Sequence, residues 1–244
     1  MAIISTPWIP KSQIKSVLMS CMESEGDKTL ENNGIKVIKT QPSPRLANPV
    51  SHHPDMLFLH LKENICVVND KNHPFVSSLK NIGFSVIEAK NSYSERYPKD
   101  IGLNCVILND MVIGNIDHID DVVKEQLQNY QFINVSQGYT KCSICIADEH
   151  SLITEDESIY KTLKNQFDIL KIESNSVELK GYNYGFFGGC TGLIDKNVMA
   201  INGELKYHKS CRQIISFLRY RNIDILELKR GNLVDIGSII PLEE

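Results

Sequence analysis

The chain has 244 residues, 42% hydrophobic and 23% charged, with a net charge of −4. That length suffices for a substantial core without disulfides or a structural metal, and Lys and Arg scattered among the acids exclude a basic nucleic-acid-binding or membrane-binding face. No apolar run approaches the ~18 residues of a membrane span, prolines break the N-terminal stretch where a signal peptide would sit, and seven cysteines without framework spacing read as reduced thiols, so a cytoplasmic protein is expected.

Five segments share one pattern: a helix-like stretch, a Leu near its end, then a β-rich strand. They join 30–34 to a strand at 35–40, 79–83 to 84–89, 127–130 to 132–135, 163–166 to 168–172, and Leu218 to 224–228. Gly34 and Gly83 stand where a helix C-cap needs positive φ. After each strand comes a loop and an inner apolar strand, expected to begin at Asp55, Asp100, Lys141, Gly188 and Asp235. The first four then turn through polar residues at 62–64, 109–110, 148–150 and 195–197. Third strands are expected at 65–68, 111–114, 152–154 and 198–201.

The inner-strand starts recur every ~40–47 residues, which is a supersecondary repeat. Asp100-Ile101-Gly102 returns letter for letter at Asp235-Ile236-Gly237. The fifth unit lacks a third strand, and 2–5 at the N-terminus is expected to supply it and close a ring. The expected fold is a single α/β domain over 1–244, a five-bladed α/β propeller of helix-strand-strand-strand units closed by the N-terminal strand. Two stacked α/β domains are the alternative, but they account for neither the five copies nor the complementary ends.

Five such units resemble the pentein fold of the enzymes that modify guanidino groups: amidinotransferases, arginine and agmatine deiminases, and dimethylarginine hydrolases. Within that fold the stretches Tyr97–Asn104, Lys141–Ile146 and Asp235–Leu242 are similar to a bacterial domain family of unknown function. The resemblance implies an active site on the pseudo-five-fold axis, lined by the inner-strand starts. It also implies a cysteine nucleophile in the last unit and a histidine in the third. Here the last-unit stretch, 230–238, has no cysteine, and Thr140-Lys141 stands at the histidine position.

Convergence of the inner-strand starts gathers Asp55, Asp100 and Asp235 with Lys141. Three adjacent carboxylates need a cation or several donors to stay ionised, and paired carboxylates grip a guanidinium bidentately. The structural alternative is that each Asp bonds backbone N–H groups and fixes a loop. Cys190, among the glycines of 188–192, is the nucleophile candidate, with a small buried hydrophobe as its other reading. His53, two residues before Asp55, is the acid–base candidate, against a loop-capping role. Cys142 and Cys145, a lone C-x-x-C, read as strand thiols on alternate faces rather than a metal site.

The resulting expectation is a hydrolase or transferase acting on a small guanidino or amino compound. Cys190 and His53 would be catalytic, and Asp55, Asp100, Lys141 and Asp235 would bind the substrate. No cofactor and no metal are expected. The partner is a small molecule, with neither nucleic acid nor membrane involved. A non-catalytic pentein that binds a protein or ribosomal partner is the alternative.

Overall fold

Short apolar runs separated by tight polar turns build short strands, and the structure, a computed structural model describing residues 2–244, gathers them into small sheets. Five of these have three strands and one has two, among the described residues. Four units follow the chain. They are Phe58–Lys62, Ile65–Val68 and Ser85–Glu88; Val106–Leu108, Met111–Gly114 and Gln131–Asn134; Cys145–Asp148, Ser151–Thr154 and Asp168–Lys171; and Thr191–Asp195, Val198–Ile201 and Asp224–Glu227. In each, the middle strand runs antiparallel to the first and parallel to the third.

That mixed pairing follows from the connections. Two-residue turns permit antiparallel neighbours, as at Asn109 and Asp110, both at positive φ. A parallel neighbour needs a crossover, and a helix supplies it: Phe75–Ile82, Asp121–Gln126, Glu157–Leu163 and Cys211–Tyr220. Gly83, at φ 114°, ends the first of these and donates to the Leu79 carbonyl. The middle strands are buried on both faces, so they read as continuous apolar runs. No helix among the described residues is long and apolar enough to cross a membrane.

Two expectations need correction. The fifth sheet takes its middle strand from Ser16–Ser20, flanked by Ile240–Glu243 and Lys36–Thr40, and not from 2–5. The N-terminal segment instead runs along the other edge of Ile240–Glu243, where Ala2 and Ile4 donate to the carbonyls of Glu244 and Leu242. The second correction concerns the inner strands, which begin later than their apolar runs suggest. The stretches at Asp55, Asp100, Lys141, Gly188 and Asp235 are helical turns and loops that lead into the strands at Phe58, Val106, Cys145, Thr191 and Ile240. Their backbone groups bond side chains and loops of other units, which draws them out of the ladder.

His60, on the Phe58–Lys62 strand, is buried beside the Phe84 ring at 5.1 Å. Its Nε2–H donates to the Glu63 carbonyl, while Nδ1 has no partner. Burial pushes the imidazole down to about 4, from 6.5 when exposed. The unfolded chain therefore takes up this proton first as pH falls, and stability is lost between those two values. Denaturant unfolding at pH 7.5 and pH 5 measures this: His60→Gln should abolish about 2 kcal/mol of the acid-induced loss.

Candidate functional site

The leader segments of the inner strands meet around one buried carboxylate. His53 precedes the short helix Pro54–Leu57, whose Asp55 N–H donates to the Gly237 carbonyl and so ties the first unit to the last. Asp55 is fully buried, and its Oδ2 accepts from Ser238 Oγ at 2.7 Å and from the Cys142 thiol at 3.2 Å. Lys141 Nζ donates to the same serine oxygen at 2.9 Å and lies 4.9 Å over the Trp8 ring. A line of contacts thus runs Lys141–Ser238–Asp55–Cys142. Burial raises the Asp55 carboxyl, and the charge of the nearby Lys141 opposes that rise.

Asp235 forms the second anionic arm. Its oxygens accept from the Phe186 and Gly237 N–H groups at 2.9 and 3.0 Å. Burial pushes it up to about 6. Glycine is required on both sides of it. A Cβ on Gly189 would stand 2.0 Å from Asp235 Oδ1, and one on Gly237, at φ 73°, would stand 2.3 Å from the His53 Cβ. His53 Nδ1 lies 3.8 Å from Asp235 Oδ1, too far for a hydrogen bond. Burial pushes the imidazole down to about 4, so it is neutral and forms no ion pair with Asp235. Neither His53 ring nitrogen nor Asp55 Oδ1 has a hydrogen-bond partner among the described residues.

His53, Cys142 and Asp235 line one end of a cavity of about 220 Å³, together with Val50, Leu179, Tyr139, Phe186, Asn183, Tyr182 and Tyr184. Those three are buried, whereas Tyr182 and Tyr184 are 46% and 40% exposed. The polar cluster is therefore the deep end, and the tyrosines stand at the mouth. Aromatic side chains lining a cavity with the buried Asp235 carboxylate favour a small cation.

The structure brings Asp55, Asp235, Lys141 and His53 together, and sets two other candidates apart. Asp100 does not line the cavity; its Oδ2 accepts from the Tyr139 hydroxyl at 2.7 Å and so orients a wall residue. Cys190 is packed in an apolar cluster with Phe187, Leu193 and Met199, and its thiol donates to the Phe187 carbonyl at 3.1 Å. Burial and the charge of Asp235 push that thiol up, so Cys190 behaves as a small hydrophobe.

Two residues of the site escaped sequence reading. Cys142 is not a strand thiol, because the strand starts at Cys145 and Cys142 sits in the turn before it. The repeat register carried the signal: Asp55, Cys142 and Gly188 each stand three positions before their strands at 58, 145 and 191. Asn104 is the other. Its Oδ1 accepts from the Lys141 and Cys142 N–H groups at 2.8 and 3.3 Å, and its Nδ2 contacts Cys142 Sγ at 3.3 Å.

Removing Lys141 leaves the Ser238 hydroxyl without its buried donor and takes away the charge that opposes the rise of Asp55. Lys141→Met should cost about 1–3 kcal/mol in denaturant unfolding. Adding Asp55→Asn should cost less than the sum of the two single changes, because the charge that needed the lysine is gone.

Solved structures similar to this chain share one fold. The inosamine-phosphate amidinotransferase StrB1 from Streptomyces griseus has a TM-score of 0.63 at 9% identity, covering 100% of this chain and 97% of that one. An amidinotransferase of the saxitoxin pathway from Microseira wollei has a TM-score of 0.58 at 11% identity, covering 92% and 91%. The agmatine deiminase of C. jejuni has a TM-score of 0.54 at 12% identity, covering 94% and 91%. The fold is thus the pentein fold of guanidino-modifying enzymes, as the repeat pattern suggested. No curated protein matches the sequence. Residues 18–240 match the "Family of unknown function (DUF6873)", and the chain belongs to that family.

Proposed function

We propose that this protein binds a small guanidino- or amino-bearing cation in the 220 Å³ cavity and acts on it as a hydrolase or transferase. One observation carries the reading: the buried Asp235 carboxylate, an unpartnered neutral imidazole and a thiol meet at the deep end of an aromatic-walled cavity, with a second buried carboxylate, Asp55, bonded to that thiol. The architecture in this reading is a closed ring of five blades, supported by Ile240–Glu243 pairing with Ser16–Ser20 across the chain ends. The leader segments would then converge on the ring's axis.

In the reaction, Asp55 and Asp235 attract the cation, and Tyr139, held by Asp100, helps wall it in. Lys141 acts from behind by keeping Asp55 in place through Ser238. Cys142 takes the role first assigned to Cys190. Its thiol is held well above the ordinary range by burial and by Asp55 and Asp235, and an arriving guanidinium offsets that rise. Sulfur bonds to the guanidinium carbon while its proton passes to Asp55 Oδ2, already its acceptor. The amine leaves with that proton. Water, deprotonated by the neutral His53, then attacks the thiouronium carbon; the C–S bond breaks, and a urea and the thiol are released. A second amine in place of water makes the step a transfer.

An electrophilic haloacetamidine tests this, with the labelled cysteine mapped by mass spectrometry. Labelling should fall on Cys142, vanish in Cys142→Ser and persist in Cys190→Ser. Labelling that survives Cys142→Ser would remove the thiol from the mechanism.

A further inference from the structure

We infer that His53, Cys142 and Asp235 form a zinc site at the deep end of the cavity. One donor atom from each lies within 4.8 Å of the other two, and all three residues are buried. The donors come from three separate parts of the chain, so the tertiary fold alone assembles them. A tetrahedral zinc ion, with bonds of about 2.0–2.3 Å, holds its ligands about 3.3–3.6 Å apart. The His53 Nδ1 to Asp235 Oδ1 separation of 3.8 Å is already close to that. A thiol, an imidazole and a carboxylate suit a borderline-soft ion better than magnesium or calcium.

Unmet bonding points the same way. Buried polar atoms are almost always partnered, yet both nitrogens of the fully buried His53 have no partner, and neither does Asp55 Oδ1 beside it. A cation between the three donors would satisfy one nitrogen of the imidazole and offset two adjacent buried carboxylates. Phe186 and Gly237 N–H groups already fix the Asp235 carboxylate in orientation. Asn104 holds the Cys142 backbone from the opposite side. On binding, the S–H bond is replaced by a sulfur–zinc bond, and the proton leaves to Asp55, 3.2 Å away, or to solvent. All three donors line the cavity, so the fourth position of the ion opens onto it.

The inference rests on the donor set and does not require the guanidino reading. The two uses of Cys142 exclude each other, because a thiolate bound to zinc is not free to attack carbon. Zinc would therefore gate the proposed reaction by occupying its nucleophile.

Cobalt(II) chloride titrated into the reduced full-length protein reads the site directly. One equivalent should give visible ligand-field bands of tetrahedral intensity and a near-ultraviolet thiolate-to-cobalt band, and zinc should bleach both. Cys142→Ser should lose the thiolate band, His53→Gln should weaken binding by more than the roughly 100-fold that loss of a ligand's hydrogen-bond partner costs, and Cys190→Ser should change neither. If the wild-type protein shows no thiolate band, or if the band survives Cys142→Ser, the site is overturned. Zinc binding in a protein whose Cys142 resists the haloacetamidine supports the site and counts against the reaction. Labelling of Cys142 without any cobalt signal does the reverse.

Discussion

The buried Asp55 carboxylate is the constraint on which the rest of the site depends. A carboxylate removed from water needs donors and a countercharge, and its supports come from two distant parts of the chain, 141–142 and 237–238. Ser238 donates from the last unit, Cys142 from the third, and Lys141 reaches the serine from the third. Its own backbone N–H donates to Gly237. Satisfying one charge therefore pins three leader segments against one another. The polar cluster and the joining of distant units are the same set of contacts.

That arrangement also explains why the leaders are not strands. A ladder would occupy their N–H and C=O groups, whereas here those groups reach across to other units. The close approach of Gly189 to Asp235 and of Gly237 to His53 leaves no space for a side chain. The two D-I-G copies thus do different work. At 235–237 the glycine admits His53, and at 100–102 it lies against the Tyr93 hydroxyl, where a Cβ would come within 2.5 Å. Both aspartates receive protein donors, but only Asp235 lines the cavity.

Much of the fold was legible because local chemistry wrote it. The strands Ile65–Val68, Met111–Gly114 and Val198–Ile201 fall where apolar runs follow Asx-rich turns. Gly34 and Gly83 have the positive φ expected of helix ends. What failed to show was anything set by tertiary contact. Ser16–Ser20 is a middle strand only because Ile240–Glu243, more than 200 residues away, pairs with it. Lys141–Ile146 alternates like a strand, which hid that Cys142 turns inward beside Asp55. The glycines around Cys190 suggested N–H donors for an oxyanion, yet Gly189 makes room for Asp235, and Gly188 and Gly192 make room for the carbonyls of Ile144 and Ile239. The carboxylates, the lysine and His53 were found from the repeat register; the thiol they surround was not.

The central claim is that Asp235, at the deep end of the cavity and close to the buried Asp55, binds a small cation. Calorimetric titration of methylguanidinium chloride at pH 8, where Asp235 is ionised, tests it most directly. The account predicts one saturable site per chain, weakened about tenfold or more by Asp235→Asn. No saturable heat in the wild-type protein, or equal affinity in the variant, would contradict it.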